Sequence, residues 1–196
     1  MPRITEAARQ HRRDDIAAAA RRCFLRDGYA ATSMASIIAE AGSSAGAVYC
    51  HFESKAELLR FVATDLLQDR LGALRQGLRS VSGDRDPARV ADLLMSSAPD
   101  AADAGLLLQM WAQAPTDPAV AEVAGSTVRA LRKFVRKALL PWAEERFEDP
   151  LAVSGQVADV VLAAVHGYLV RRVLSPEADP HELRRQIVAG LAAAGR

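Results

Sequence analysis

The sequence predicts an all-α fold, a three-helix N-terminal module followed by a larger helical body, and three observations carry that prediction. Alanine and leucine dominate a chain in which half of the 196 residues are hydrophobic, a composition that favours helices. Apolar residues recur three and four positions apart in one segment after another, with Ser, Asp, Gly and Pro placed between segments as helix caps and stops are. After Pro2 no proline occurs before Pro87, so the first half lacks the strongest helix breaker.

Ile16, Ala20, Cys23 and Phe24 stand at i, i+4, i+7 and i+8, one face of a helix from about Arg13 to Asp27. Gly28 follows, where a left-handed residue would end it. Met34, Ile37, Ile38 and Ala41 repeat the spacing on a second helix, with Ser33 as its cap and Gly42 as its stop. Ser44 caps a third helix of eight residues, in which Ala45, Val48 and Phe52 share a face. A helix that short does not survive alone, because nucleation is too unfavourable. Val48 and Phe52 must therefore hold it against the first two. Ser54 and Glu57 form a capping box that opens a fourth helix, whose Leu58, Leu59, Val62, Leu66 and Leu74 carry it to about Ser80.

Short helices around a glycine turn, the last pinned by its apolar face, are the layout of a helix-turn-helix. The outward face of the third helix then holds Gly46, Ala47, Tyr49 and Cys50, with Tyr49 and His51 placed to reach phosphate oxygens. Lys55 lies in the first turn of the fourth helix, where a phosphate would meet both its ammonium and free backbone N–H groups. Charge agrees. Net charge is only +1, yet residues 1–26 carry seven arginines, Arg12 and Arg13 among them, against three acidic groups. Residues 61–196 carry 16 basic and 17 acidic groups. A basic arm on a near-neutral body is an electrostatic footprint confined to one end.

Other classes find little support. The two cysteines, Cys23 on the inner stripe and Cys50 facing outward, form no metal-binding or disulfide pattern, so neither metal nor cofactor is expected. No Walker loop, G-x-S-x-G or H-E-x-x-H occurs, which argues against an enzyme. The longest apolar run, Val160 to Val165, is far short of a membrane span. A cytoplasmic protein with no membrane association is the expectation.

Gly28-Tyr29, Thr32-Ser33, Ala41-Gly42, Ser44, Gly46, Val48-Tyr49, His51-Phe52, Ser54-Lys55 and Leu58 together resemble the DNA-binding domain of the TetR family of bacterial repressors. The resemblance covers roughly residues 12–60. It implies a helix-turn-helix DNA-binding domain over 1–56 and a helical effector-binding and dimerisation domain over 57–196. It also implies a homodimeric repressor that leaves a palindromic operator on binding a small molecule. Carried over by position, Thr32, Ser33, Tyr49, His51 and Lys55, with Arg12 and Arg13 of the arm, would contact phosphates. Ala35, Ser44, Ala45, Gly46 and Ala47 would face base edges. None of these five can make a bidentate base contact, so sequence choice would rest on Ser44, methyl contacts to thymine, the arm and DNA shape. Ser43 departs from the branched apolar residue usual at its position.

In the body, SGDRDP over 82–87 is the first clear loop, and helices are expected over roughly 87–97, 101–114, 118–147, 151–174 and 180–193, with Pro141 kinking the third of them. Trp111, Ala114, Asp117 and Pro118 form a W-x-x-A-x-x-D-P run similar to one in a TetR subgroup. A mostly apolar effector pocket is expected from Met95, Leu107, Met110, Trp111, Phe134, Trp142 and His166. The last two helices are expected to dimerise through Val157, Val161, Ala164, Val165, Tyr168, Ile187 and Leu191, four helices making a bundle across the two subunits.

Overall fold

A computed structural model describes residues 6–80 and 85–194, which form nine helices and no strand. Arg3 of the basic arm and residues 82–84 of the expected loop lie outside the described residues, as do the side chains of Leu66 and Ala194. The helices are α1 (Glu6–Ala31), α2 (Met34–Glu40), α3 (Ala45–Tyr49), α4 (Lys55–Ser80), α5 (Pro87–Ser96), α6 (Ala101–Gln113), α7 (Pro118–Glu144), α8 (Pro150–Leu174) and α9 (Pro180–Ala194).

Their starts repeat one device. Asp86, Asp117, Asp149 and Asp179 each precede a proline at the first helical position, and each carboxylate accepts from a backbone N–H two or three residues on. The aspartate satisfies an orphan donor while the proline, lacking one, arrives with helical φ. Ser33 makes a reciprocal box with Ser36: its Oγ accepts from the Ser36 N–H at 3.0 Å, and Ser36 Oγ accepts from the Ser33 N–H at 3.0 Å. Ser44 Oγ accepts from the Ala47 N–H at 3.2 Å.

Several boundaries differ from expectation: α7 ends at Glu144 rather than near 147, and the first helix runs on to Ala31. α1 begins at Glu6 rather than near Arg13, because residues 6–12 are exposed throughout and show no apolar period. α3 has five residues, not eight; its end tightens, with the His51 and Phe52 N–H groups both donating to the Val48 carbonyl at 3.0 Å. Gly28 does interrupt α1, at φ 79° and ψ 157°, a region that only glycine enters at low energy. Pro141 lies inside α7, which continues past it to Glu144.

The chain packs as two compact units, one of Met1–Leu66 with Gly105–Gly125, the other of Leu67–Ala104 with Ser126–Arg196. In the first, Ile16, Phe24, Ile37, Val48, Phe52 and Leu58 share a core with Leu106, Met110, Val120 and Val123. A segment beyond residue 100 thus completes the core beneath the helix-turn-helix. In the second, α5 packs on α8 and α9, and Arg184 pairs with Asp92 across α9 and α5 at 3.2 Å. Arg132 on α7 holds Asp159 on α8 through Nε and a terminal nitrogen, at 2.5 and 2.9 Å.

α8 bears on two expectations. It has 25 residues with a mean hydropathy of 1.4 over its most apolar stretch, enough by length and composition to cross a bilayer, although its longest apolar run is short. Eight of its residues are nevertheless buried within the second unit, and Asp159 is paired to α7. Val161, Val165 and Tyr168, expected on a dimer face, are at most 5 % exposed within one protomer. Their surface is already used, so they have none left for a partner.

Candidate nucleic-acid interface

The two faces of α3 separate cleanly. Val48 and Phe52 have no exposed surface, and the Phe52 ring meets Phe61 edge-on with centroids 5.4 Å apart. Ser44, Ala45, Gly46, Tyr49 and Cys50 are exposed, Tyr49 by 50 %, while Ala47 and His51 are half-buried. Ala45, placed on the inner face by its spacing and toward the bases by the resemblance, is exposed. Ala35 and Ser33 are exposed on α2, as is Arg12 on α1. What α3 offers is a short, mostly small-residue ridge with a phenol and an imidazole at its end. Such a ridge can enter a groove closely, and its Tyr and His can donate to phosphate oxygens.

The ridge is braced from behind. Glu40 at the end of α2 accepts from Arg22 Nε at 2.7 Å and from Arg26 at 3.0 Å, fixing α2 to α1. Those two hydrogen bonds hold the Glu40 carboxyl below its ordinary range. Because both arginines are half-exposed, the clamp orients more than it stabilises.

Three residues expected at phosphates are used otherwise. Thr32 is 2 % exposed, and its hydroxyl donates to the Gly28 carbonyl at 2.7 Å, so it closes the end of α1. Arg13 is half-buried, its guanidinium 5.1 Å from the Phe52 ring centroid and 4.7 Å from that of Phe61; it covers the aromatic pair that seats α3. Lys55 Nζ donates to the carbonyls of Tyr29, Ala30 and Thr32 at 2.7, 3.3 and 2.8 Å and sits 4.3 Å from the Tyr29 ring centroid. Burial lowers the pKa of this ammonium, and the charge of Asp117 partly opposes the shift.

Residue patterns did not reveal this node. The Tyr29 N–H donates to Gln109 at 3.1 Å, and its hydroxyl approaches Asp117 at 3.5 Å. Burial and the Asp117 carboxylate raise the Tyr29 pKa. Asp117 belongs to the W-x-x-A-x-x-D-P run, the one sequence signal that pointed here. It caps α7 with one oxygen and faces Tyr29 with the other.

The seven expected effector-pocket residues are divided between the two units. Met110 belongs to the first unit's core, with Leu107 and Trp111 packed against it, whereas Met95, Phe134, Trp142 and His166 lie in the second unit. The Trp142 ring meets that of Phe147 at a tilt of 58°, with centroids 5.4 Å apart, and burial lowers the His166 pKa. Of the clefts found among the described residues, one of about 440 Å³ lies in the first unit beside Arg26, Asp27, Gln109 and Gln113. Another, of about 400 Å³, lies in the second beside Asp86, Arg89, Asp92 and Val188. Neither includes any of the seven. No cluster of metal-ligating side chains occurs among the described residues.

A braced helix-turn-helix with an outward tyrosine, ahead of a helical body, defines a DNA-binding regulator. Residues 16–62 match the model described as bacterial regulatory proteins, tetR family. Residues 88–195 match the one described as BetI-type transcriptional repressor, C-terminal. The chain belongs to the TetR family of bacterial transcriptional regulators, and is a regulator rather than an enzyme. It is 41 % identical over 66 residues to the HTH-type transcriptional regulator TtgR of Pseudomonas putida, spanning 34 % of this chain and 31 % of TtgR. It is 35 % identical over 83 residues to the HTH-type transcriptional activator FasR of Mycolicibacterium smegmatis, spanning 42 % and 38 %. These matches thus span about a third of each relative. The crystal structure of a transcriptional regulator from Rhodococcus sp. Rha1 superposes with a TM-score of 0.73 at 24 % identity, over 92 % of this chain and 94 % of that one, a likeness of fold.

Proposed function

We propose that the chain is a cytoplasmic, homodimeric repressor that occupies a palindromic operator and is released by a small, largely apolar effector. The observation that carries this reading is the division of α3, whose Val48 and Phe52 are wholly buried while Ser44, Ala45, Gly46 and Tyr49 face outward. Tyr49, His51, Ser33 and Arg12 are the phosphate contacts in this reading; Ala35, Ser44, Ala45, Gly46 and Ala47 face the bases. Residues 1–56 read DNA, and 57–196 bind effector and dimerise.

A palindrome demands two heads about 34–36 Å apart, hence a dimer. α8 supplies a face for it: Gln156, Val160, Ala163, Gly167 and Leu174 are exposed along one side, Val160 by 56 % and Leu174 by 72 %. This stripe replaces Val161, Val165 and Tyr168, while Val157, Ala164, Ile187 and Leu191, all half-buried, stay at its margin. In this reading the effector site lies in the second unit, near Met95, Phe134, Trp142 and His166. Effector binding then shifts the population toward a head spacing that mismatches the half-sites, needing a differential affinity of about 1–3 kcal/mol.

The activator reading stays open, since FasR is named an activator, whereas the description of the C-terminal match names repressors. Gel shifts on the chain's own upstream DNA, with and without metabolite extracts, test the proposal together with transcription from that DNA. Extract-induced release and a rise in transcripts are expected. No attraction to any duplex even in dilute buffer, or transcription that needs the protein, would overturn it.

A further inference from the structure

Lys55 and the end of α1 enclose the DNA-reading segment between them. Tyr29 to Thr32 lie immediately before α2, Lys55 is the first residue of α4, and α2, the glycine turn and α3 form everything in between. The ammonium joins the two ends across that span, from Thr32 to Lys55. An ammonium carries three N–H donors, and here each has a carbonyl acceptor. Carbonyls at the end of a helix lack intrahelical partners and carry the negative end of its dipole. A phosphate could claim the ammonium only by leaving these oxygens unmet. The acceptors are held in turn: Gln109 accepts from the Tyr29 N–H, the Tyr29 ring lies under the ammonium, and Asp117 faces the Tyr29 hydroxyl.

We propose that Lys55 is a positioning residue that closes the α2–turn–α3 segment into a ring at the terminal carbonyls of α1, supporting DNA binding through the pose of α3 and not through a phosphate. The inference rests on the reading of α3 as the DNA-facing element. It extends that reading to Tyr29, Gln109 and Asp117, which hold the far side of the ring.

Salt dependence separates a strut from a contact. Each phosphate neutralised by a cation contributes a slope of about −0.9 to log K against log salt. Duplex affinity is measured by fluorescence anisotropy over a salt series for the full chain and for Lys55→Met, Lys55→Arg and Arg12→Ala. Arg12→Ala serves as the control that loses a surface cation and flattens the slope. Lys55→Met is expected to weaken binding tenfold or more at every salt concentration, on a line parallel to the parent. Lys55→Arg is expected not to rescue it, because a planar fork does not match three oxygens converging on a compact ammonium. A slope shallower by about 0.9 in Lys55→Met with rescue by Lys55→Arg overturns the proposal, as does unchanged affinity in Lys55→Met. Should Lys55→Met melt before binding is measured, Lys55→Gln, whose amide still donates to two carbonyls, is read by the same slope criterion. A parent chain that binds no duplex overturns the reading of α3 itself, an outcome distinct from any slope.

Discussion

α3 and α8 are both apolar helices that pack on one side and face outward on the other, and they differ in how plainly sequence tells the sides apart. α3 holds five residues, with Val48 buried and Phe52 just beyond, against an outer face of small residues and a tyrosine. Its two sides differ in chemistry, so the inner one can be read from the letters. α8 buries eight of its 25 residues, and its open side still carries Val160, Ala163 and Leu174. There the inside is apolar and so is the outside, and hydrophobicity alone cannot rank Val160 against Val161. Periodicity finds a buried face by contrast, and a helix apolar on both sides offers none.

Neighbouring substitutions on α8 put that difference to the test most strongly. Val161→Asp is expected to destabilise the protomer by about 5 kcal/mol or more, because an unpaired charge enters the core; Val160→Asp should change protomer stability by less than about 0.5 kcal/mol and instead yield monomers. Chemical denaturation and light scattering check the pair, and equal stabilities would erase the distinction between the two faces. Phe52→Ala comes next, at about 3–5 kcal/mol, since it removes the anchor of α3 and the ring beneath Arg13. Near-parent thermal unfolding in this variant would mean that α3 is seated by something else.

How far sequence reaches is visible in particular residues. The capping serines Ser33, Ser44 and Ser54 announce helix starts locally, and those starts stand where they were expected; the helices after the four Asp-Pro pairs begin within one residue of expectation. The early start of α1 was hidden because a wholly exposed helical turn needs no apolar period. The carbonyl cage around Lys55 was hidden for a deeper reason: its acceptors are backbone oxygens brought together only by the fold, and every residue owns one.

Smaller effects sharpen the local side of the comparison. Ser33→Ala is expected to lower stability by about 1 kcal/mol, seen as a modest shift of the unfolding midpoint; no shift would show Ser36 able to serve alone. The smallest effect is on pH. Burial depresses the pKa of His166 below its ordinary value, so the unfolded chain takes up the proton first. Stability should therefore fall as pH drops below about 6.5 and level off below the folded pKa. His166→Gln should remove that part of the slope in denaturant titrations between pH 7.5 and 5.5. An unaltered slope would assign it to other groups.

The core that Leu106, Met110, Val120 and Val123 share with Phe24, Val48 and Phe52 bears on modular engineering. A chimera spliced after residue 56, exchanging this recognition module for that of another regulator, would seat foreign helices on side chains shaped for these. Hybrid regulators built from this scaffold should carry the Gly105–Gly125 stretch along with the N-terminal helices, as a graft in two pieces.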